Sequence, residues 1–126
     1  MVQNIICTLS NISGEFNLQP ELVQNGLIDC LRKFVDLFLA CAKEMNNDGI
    51  NELQEGIDLD VVPTGALQLI KAISVIILNL SNNEMIHSEC VNLGIYQILM
   101  NCHNLHDYEV KTNLFKATGN FLNSMD

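Results

Sequence analysis

The sequence predicts an all-α fold built as a stack of repeated helices. Three observations carry this. Apolar residues recur at intervals of three and four in one segment after another, the spacing of a helix face. The stretch Asn11-Ile12-Ser13 returns as Asn79-Leu80-Ser81 and, more loosely, as Asn120-Phe121-Leu122. In the first two copies a glycine follows at a fixed distance, Gly26 lying 15 residues after Asn11 and Gly94 15 after Asn79. A fixed asparagine-to-glycine interval between apolar helices marks a stacked repeat.

Taken in order, Val2 to Ser13 reads as a helix with Ile5, Ile6, Leu9 and Ile12 on one face, ended by Gly14. Pro20 suits the first turn of a short helix to about Asn25, and Gly26 then turns the chain. Leu27 to Ala42 is a strong helix, apolar over more than one face and so expected to be buried on several sides. Residues 43–64 break the pattern. They hold Glu44, Asp48, Glu52, Glu55, Asp58 and Asp60 against Lys43, with the turn chemistry of Asn46-Asn47-Asp48-Gly49, and read as an exposed acidic insertion.

Gly65 to Asn82 is the central long helix, with the stripe Leu67, Ile70, Ile73, Ile77 and Leu80. Asn83 to Asn92 repeats the short helix, with Met85, Ile86, Cys90 and Val91 expected to face inward, and Gly94 turns the chain again. Ile95 to about Cys102 is the next helix. Asp107 is placed to cap the last one, which runs to about Ser124 with the stripe Val110, Leu114, Ala117, Phe121 and Leu122.

Bulk properties narrow the function. The 126 residues suit one domain. Hydrophobic residues make up 48 % and the mean hydropathy is +0.21, too apolar for disorder. A net charge of −9 argues against nucleic-acid binding, which needs a Lys/Arg surface, and mildly favours a basic partner. Ala66 to Leu80 is the most apolar run, but at 15 residues, with Lys71, Ser74 and Asn79 inside it, it reads as a buried helix and no membrane span is expected. Cys7, Cys30, Cys41, Cys90 and Cys102 are scattered, odd in number and set among apolar residues, which points to free, buried thiols in the cytoplasm or nucleus. Both Asn-x-Ser triplets match the glycosylation pattern, yet they sit in predicted helices of a chain in which no secretory signal is read.

The order short helix, glycine, long helix, long helix resembles the armadillo repeat. Leu9 to Ser13, Ile77 to Ser81 and Ala117 to Phe121 match the end of that family's third helix; Glu21 to Ile28 and Glu89 to Tyr96 match the short helix, glycine and second helix that follow. Asn79 and Asn120 are 41 residues apart, within the roughly 40–47 period of such arrays. The resemblance implies a right-handed α-solenoid of three-helix repeats, about 14–82 and 83–124, with the acidic segment as an insertion. It is short for a stable stack, so a longer array or self-association is expected.

The resemblance implies binding rather than chemistry. In importin-type members the third-helix asparagine bonds the backbone of an extended peptide, so Asn11, Asn79 and Asn120 could form a ladder, flanked by Val75 and Lys116 four residues upstream. The other use of these residues is to tie neighbouring helices together. The family's groove tryptophans are missing, Cys7, Val75 and Lys116 standing at those positions, so binding of a nuclear-localisation signal is not expected. Glu52, Glu55, Asp58 and Asp60 are the candidate dock for a basic partner. Leu22 to Leu31 followed by an acidic segment is also similar to the armadillo-type dissociation stimulator of small GTPases.

Catalytic and metal chemistry find little footing. Cys102, His103, His106 and Asp107 crowd one helix end, where zinc wants separated pairs. The stretch Asp48 to Glu52 offers carboxylate and amide oxygens but lacks the correctly spaced glycine and final glutamate of a calcium loop. Cys90 and His87 have no third partner for nucleophilic work. The sequence thus leads to a non-enzymatic interaction scaffold without cofactor or metal, binding a protein or peptide segment. The rival is an assembly module that stacks end to end.

Overall fold

The computed structural model describes residues 8–46, 57–58 and 64–123, and these form an all-α fold. The helices are α1 (residues 8–12), α2 (Gln19–Gln24), α3 (Leu27–Asn46), α4 (Thr64–Ser81), α5 (His87–Asn92), α6 (Ile95–Asn101) and α7 (Tyr108–Asn123), with a 3-10 turn at Glu84–Ile86. The first expected helix is described only from residue 8, so Ile5, Ile6 and Cys7 lie outside the described residues.

Local chemistry sets most boundaries. Pro20 stands in the first turn of α2, where a missing N–H costs nothing. Gly26 and Gly94 hold φ of 99° and 97°, the left-handed region in which a Cβ is strained. Each lets the chain leave a six-residue helix (α2 or α5) and enter the next at once. The Asp107 carboxylate accepts from the Val110 N–H at 3.1 Å and caps α7. Asn83 accepts from the Met85 N–H at 3.1 Å. That cap opens a 3-10 turn where a regular helix was expected, and Met85 swings out to 92 % exposure while Ile86 and Cys90 point in.

The core is one continuous apolar cluster. α4 packs on α7 and α3, and α3 packs on α2 and α6. Ile70, Ile73, Ile76, Ile77 and Leu80 of α4 meet Val110, Leu114, Ala117 and Phe121 of α7 in this core. At 18 residues α4 is longer than the apolar run read from the sequence. By length and composition it is apolar enough to cross a bilayer, but seven of its residues are buried among its neighbours.

The acidic insertion begins later than expected, because α3 continues through Asn46. Ile57–Asp58 pairs in parallel with Leu105–His106, two residues on each side, so Asp58 has a backbone anchor. Glu52, Glu55 and Asp60 lie outside the described residues.

Candidate functional site

Among the described residues, the recurring asparagines and serines form a connected polar arrangement. Asn79 Nδ2 donates to Ser13 Oγ at 3.0 Å. Asn120 Nδ2 donates to Ser81 Oγ at 3.0 Å and to Asn82 Oδ1 at 3.1 Å. Each serine hydroxyl in turn donates to the carbonyl three residues back, Ser13 to Ser10 and Ser81 to Leu78. A serine oxygen can donate and accept together, so the chain of bonds is chemically complete.

A second pair of contacts follows the same spacing. Gln19 Nε2 donates to the Ser13 carbonyl at 2.6 Å and to the Asn79 carbonyl at 3.1 Å. His87 Nε2 donates to the Ser81 carbonyl at 2.5 Å. The carbonyl can only accept, so this contact puts the ring proton on Nε2. Gln19 and His87 each follow their serine by six residues and each is buried. Both carry N–H to a carbonyl freed at a helix end. The His87 ring also leans on Phe121, centroids 4.9 Å apart and planes at 57°.

The helices run in the same direction across this network. Asn113 Nδ2 of α7 meets Ser74 Oγ of α4 at 3.1 Å, and seven residues on in both helices Asn120 meets Ser81. A seven-residue step is two turns of helix, so the two polar contacts lie along one seam of a parallel pair.

Of the expected peptide-binding residues, Asn79 and Asn120 thus turn their amide N–H groups to the protein itself. Val75 is half-buried on α4, Lys116 is exposed on α7 and Asn11 is exposed on α1. Gln19 and His87 escaped the sequence reading, because a glutamine and a histidine show no shared signal until their carbonyl partners are seen.

A groove of about 550 Å³ lies between the end of α6 and α7. Leu99, Cys102 and Leu114 form its apolar wall, with Phe115, Lys111 and Lys116 around it. His103 also lines it, its Nδ1 donating to the Met100 carbonyl at 2.7 Å. Among the described residues no three of His, Cys, Asp and Glu gather as metal ligands, and Asp107 is engaged as a helix cap.

The thiols differ from expectation in burial. Cys41 is exposed and Cys30 half-buried, while Cys90 and Cys102 are buried. Burial pushes the thiols of Cys90 and Cys102 up to about 12, with Glu89 and Asp36 adding to it, so both are held as neutral thiols. A neutral, buried thiol is a poor nucleophile, and the Nε2–H of His87, three residues before Cys90, bonds the Ser81 carbonyl.

Comparison with family models, with characterised proteins and with solved structures finds no match to this chain.

Proposed function

We propose that this chain is an armadillo-like stack with repeats of about 14–82 and 83–124, working as a protein-interaction module and not as an enzyme. The observation behind this reading is that one hydrogen bond recurs between successive copies, from Asn79 to Ser13 and from Asn120 to Ser81. In a solenoid each repeat touches only its neighbours. A link that steps from copy to copy with the same atoms suits such a stack, as does the parallel run of α4 and α7. The same bonds favour a tying role for the asparagines over a peptide ladder. A peptide carbonyl at Asn120 would have to displace Ser81 or Asn82. Partner binding then falls to the outer faces of the stack. The free thiols at Cys30, Cys41, Cys90 and Cys102 suit the cytoplasm or nucleus.

The test is Asn120→Ala. Under this reading it lowers stability and leaves partner capture intact at a temperature where the protein stays folded. Lost capture with unchanged stability would return the asparagines to a peptide-binding role.

A further inference from the structure

Tyr108, Phe115 and Leu122 stand seven residues apart on α7 and are 87, 82 and 55 % exposed. Large apolar side chains at that spacing form a straight seam for a partner helix. The middle residue, Phe115, also lines the groove between α6 and α7.

The register set by Asn79 and Asn120 aligns this seam with the face of α4 that receives α7. That step rests on the stack reading above. Ser74 and Ser81 of α4 align with Phe115 and Leu122 of α7, and Ile70 and Ile77 align with Lys111 and Thr118. Polar and apolar positions have changed places. A further helix like α7 would press its asparagine amides onto Phe115 and Leu122 and leave them without acceptors, which is costly for a buried amide. A second copy of the chain brings a net charge of −9 to a chain whose own net charge is −9.

The lining of the groove has the opposite sign, with Glu109 beside Tyr108 and Asp36 near Cys102 as the acidic neighbours outside it. The groove is lined by Lys111, Lys116 and His103 and by no carboxylate among the described residues, in a chain with 15 acidic and 6 basic residues. We propose that the Tyr108–Phe115–Leu122 seam and the adjoining groove dock an amphipathic helix of a partner protein whose apolar stripe is flanked by acidic residues. The stripe covers the seam, a large side chain enters the groove over Leu99 and Leu114, and flanking carboxylates meet Lys111 and Lys116.

The probe is a synthetic three-heptad helix with leucine at the apolar positions and glutamate beside them, compared with the same peptide carrying lysine in place of glutamate. Fluorescence anisotropy on the whole chain should give binding of the glutamate peptide at least about tenfold tighter than the lysine peptide, weakening with salt. Phe115→Ser with Leu122→Ser should weaken it by a further factor of about ten or more, with the helical circular dichroism unchanged. Lys111→Glu with Lys116→Glu should reverse the preference between the two peptides. Equal binding of both peptides, no binding of either, or full binding by the serine variant overturns the proposal. So does a concentration-dependent dimer in light scattering that the serine variant abolishes, since the seam would then belong to a second copy. None of these readouts depends on the Asn79–Ser13 bond, whose coupling energy tests the stack reading on its own.

Discussion

Asn120 and Ser81 are joined across α7 and α4 by a 3.0 Å hydrogen bond, and Asn79 makes the same bond to Ser13. Ser13 and Ser81 are buried, so neither hydroxyl can turn to water if its partner is removed. The bond therefore links one copy of the pattern to the next at a place where its loss is not made good by solvent.

A double-mutant cycle measures this link. Asn120→Ala and Ser81→Ala should each lower the unfolding free energy by about 1 kcal/mol or more, and the double variant should lose less than the sum. Asn79→Ala with Ser13→Ala should repeat the result. Fully additive losses in urea titrations would mean that the two side chains do not support one another.

The two left-handed glycines should separate in a thermal melt. Gly26→Ala meets open space and carries the conformational strain alone, about 1 kcal/mol. A Cβ on Gly94 would also come within 2.6 Å of the Arg32 guanidinium, which bonds the Leu93 carbonyl and the Asp29 carboxylate. Gly94→Ala should therefore cost more than Gly26→Ala, and most of the difference should vanish when Arg32 is also replaced by Ala.

His87 and Gln19 do the same work with different chemistry, which makes an exchange informative. His87→Gln keeps a donor for the Ser81 carbonyl and should cost under about 1 kcal/mol, while His87→Ala leaves that carbonyl unpaired and should cost about 1–3 kcal/mol. Chemical denaturation of both variants checks the order. A glutamine variant as unstable as the alanine one would mean that stacking on Phe121, not the hydrogen bond, is what His87 contributes.

The thiols predict both a reactivity order and a pH dependence. Cys41 should react first with a thiol reagent, Cys30 next, and Cys90 and Cys102 only on unfolding, in a Cys7→Ser background read by mass spectrometry. The unfolded thiols ionise near 9, whereas Cys90 and Cys102 stay neutral up to about 12 in the fold. Stability present below pH 9 is thus lost as the pH rises toward 12, because the unfolded chain gives up protons that the folded chain keeps. Replacing both residues with Ala should flatten that decline.

The helix pattern was legible because each long helix repeats its apolar residues at one spacing, and the turns because Gly26 and Gly94 sit at one distance from their asparagines. The bonds of Asn79 to Ser13 and of Asn120 to Ser81 match one of the two uses read for these asparagines, and the sequence did not choose between them, since a lone asparagine looks the same whether its partner is a serine or a peptide. Met85 was misread because the Asn83 cap, a single local bond, turns a helix start into a 3-10 turn. The Ile57–Asp58 pairing left no sequence signal, because two residues are too few to show alternation.

That pairing also bears on how the chain comes together as it is made. Ile57–Asp58 is synthesised 48 residues before its partner Leu105–His106. Synthesis at about 5–20 residues per second puts seconds between the two. Ile57–Asp58 therefore emerges before α4, yet finds its partner only after α6 has been made.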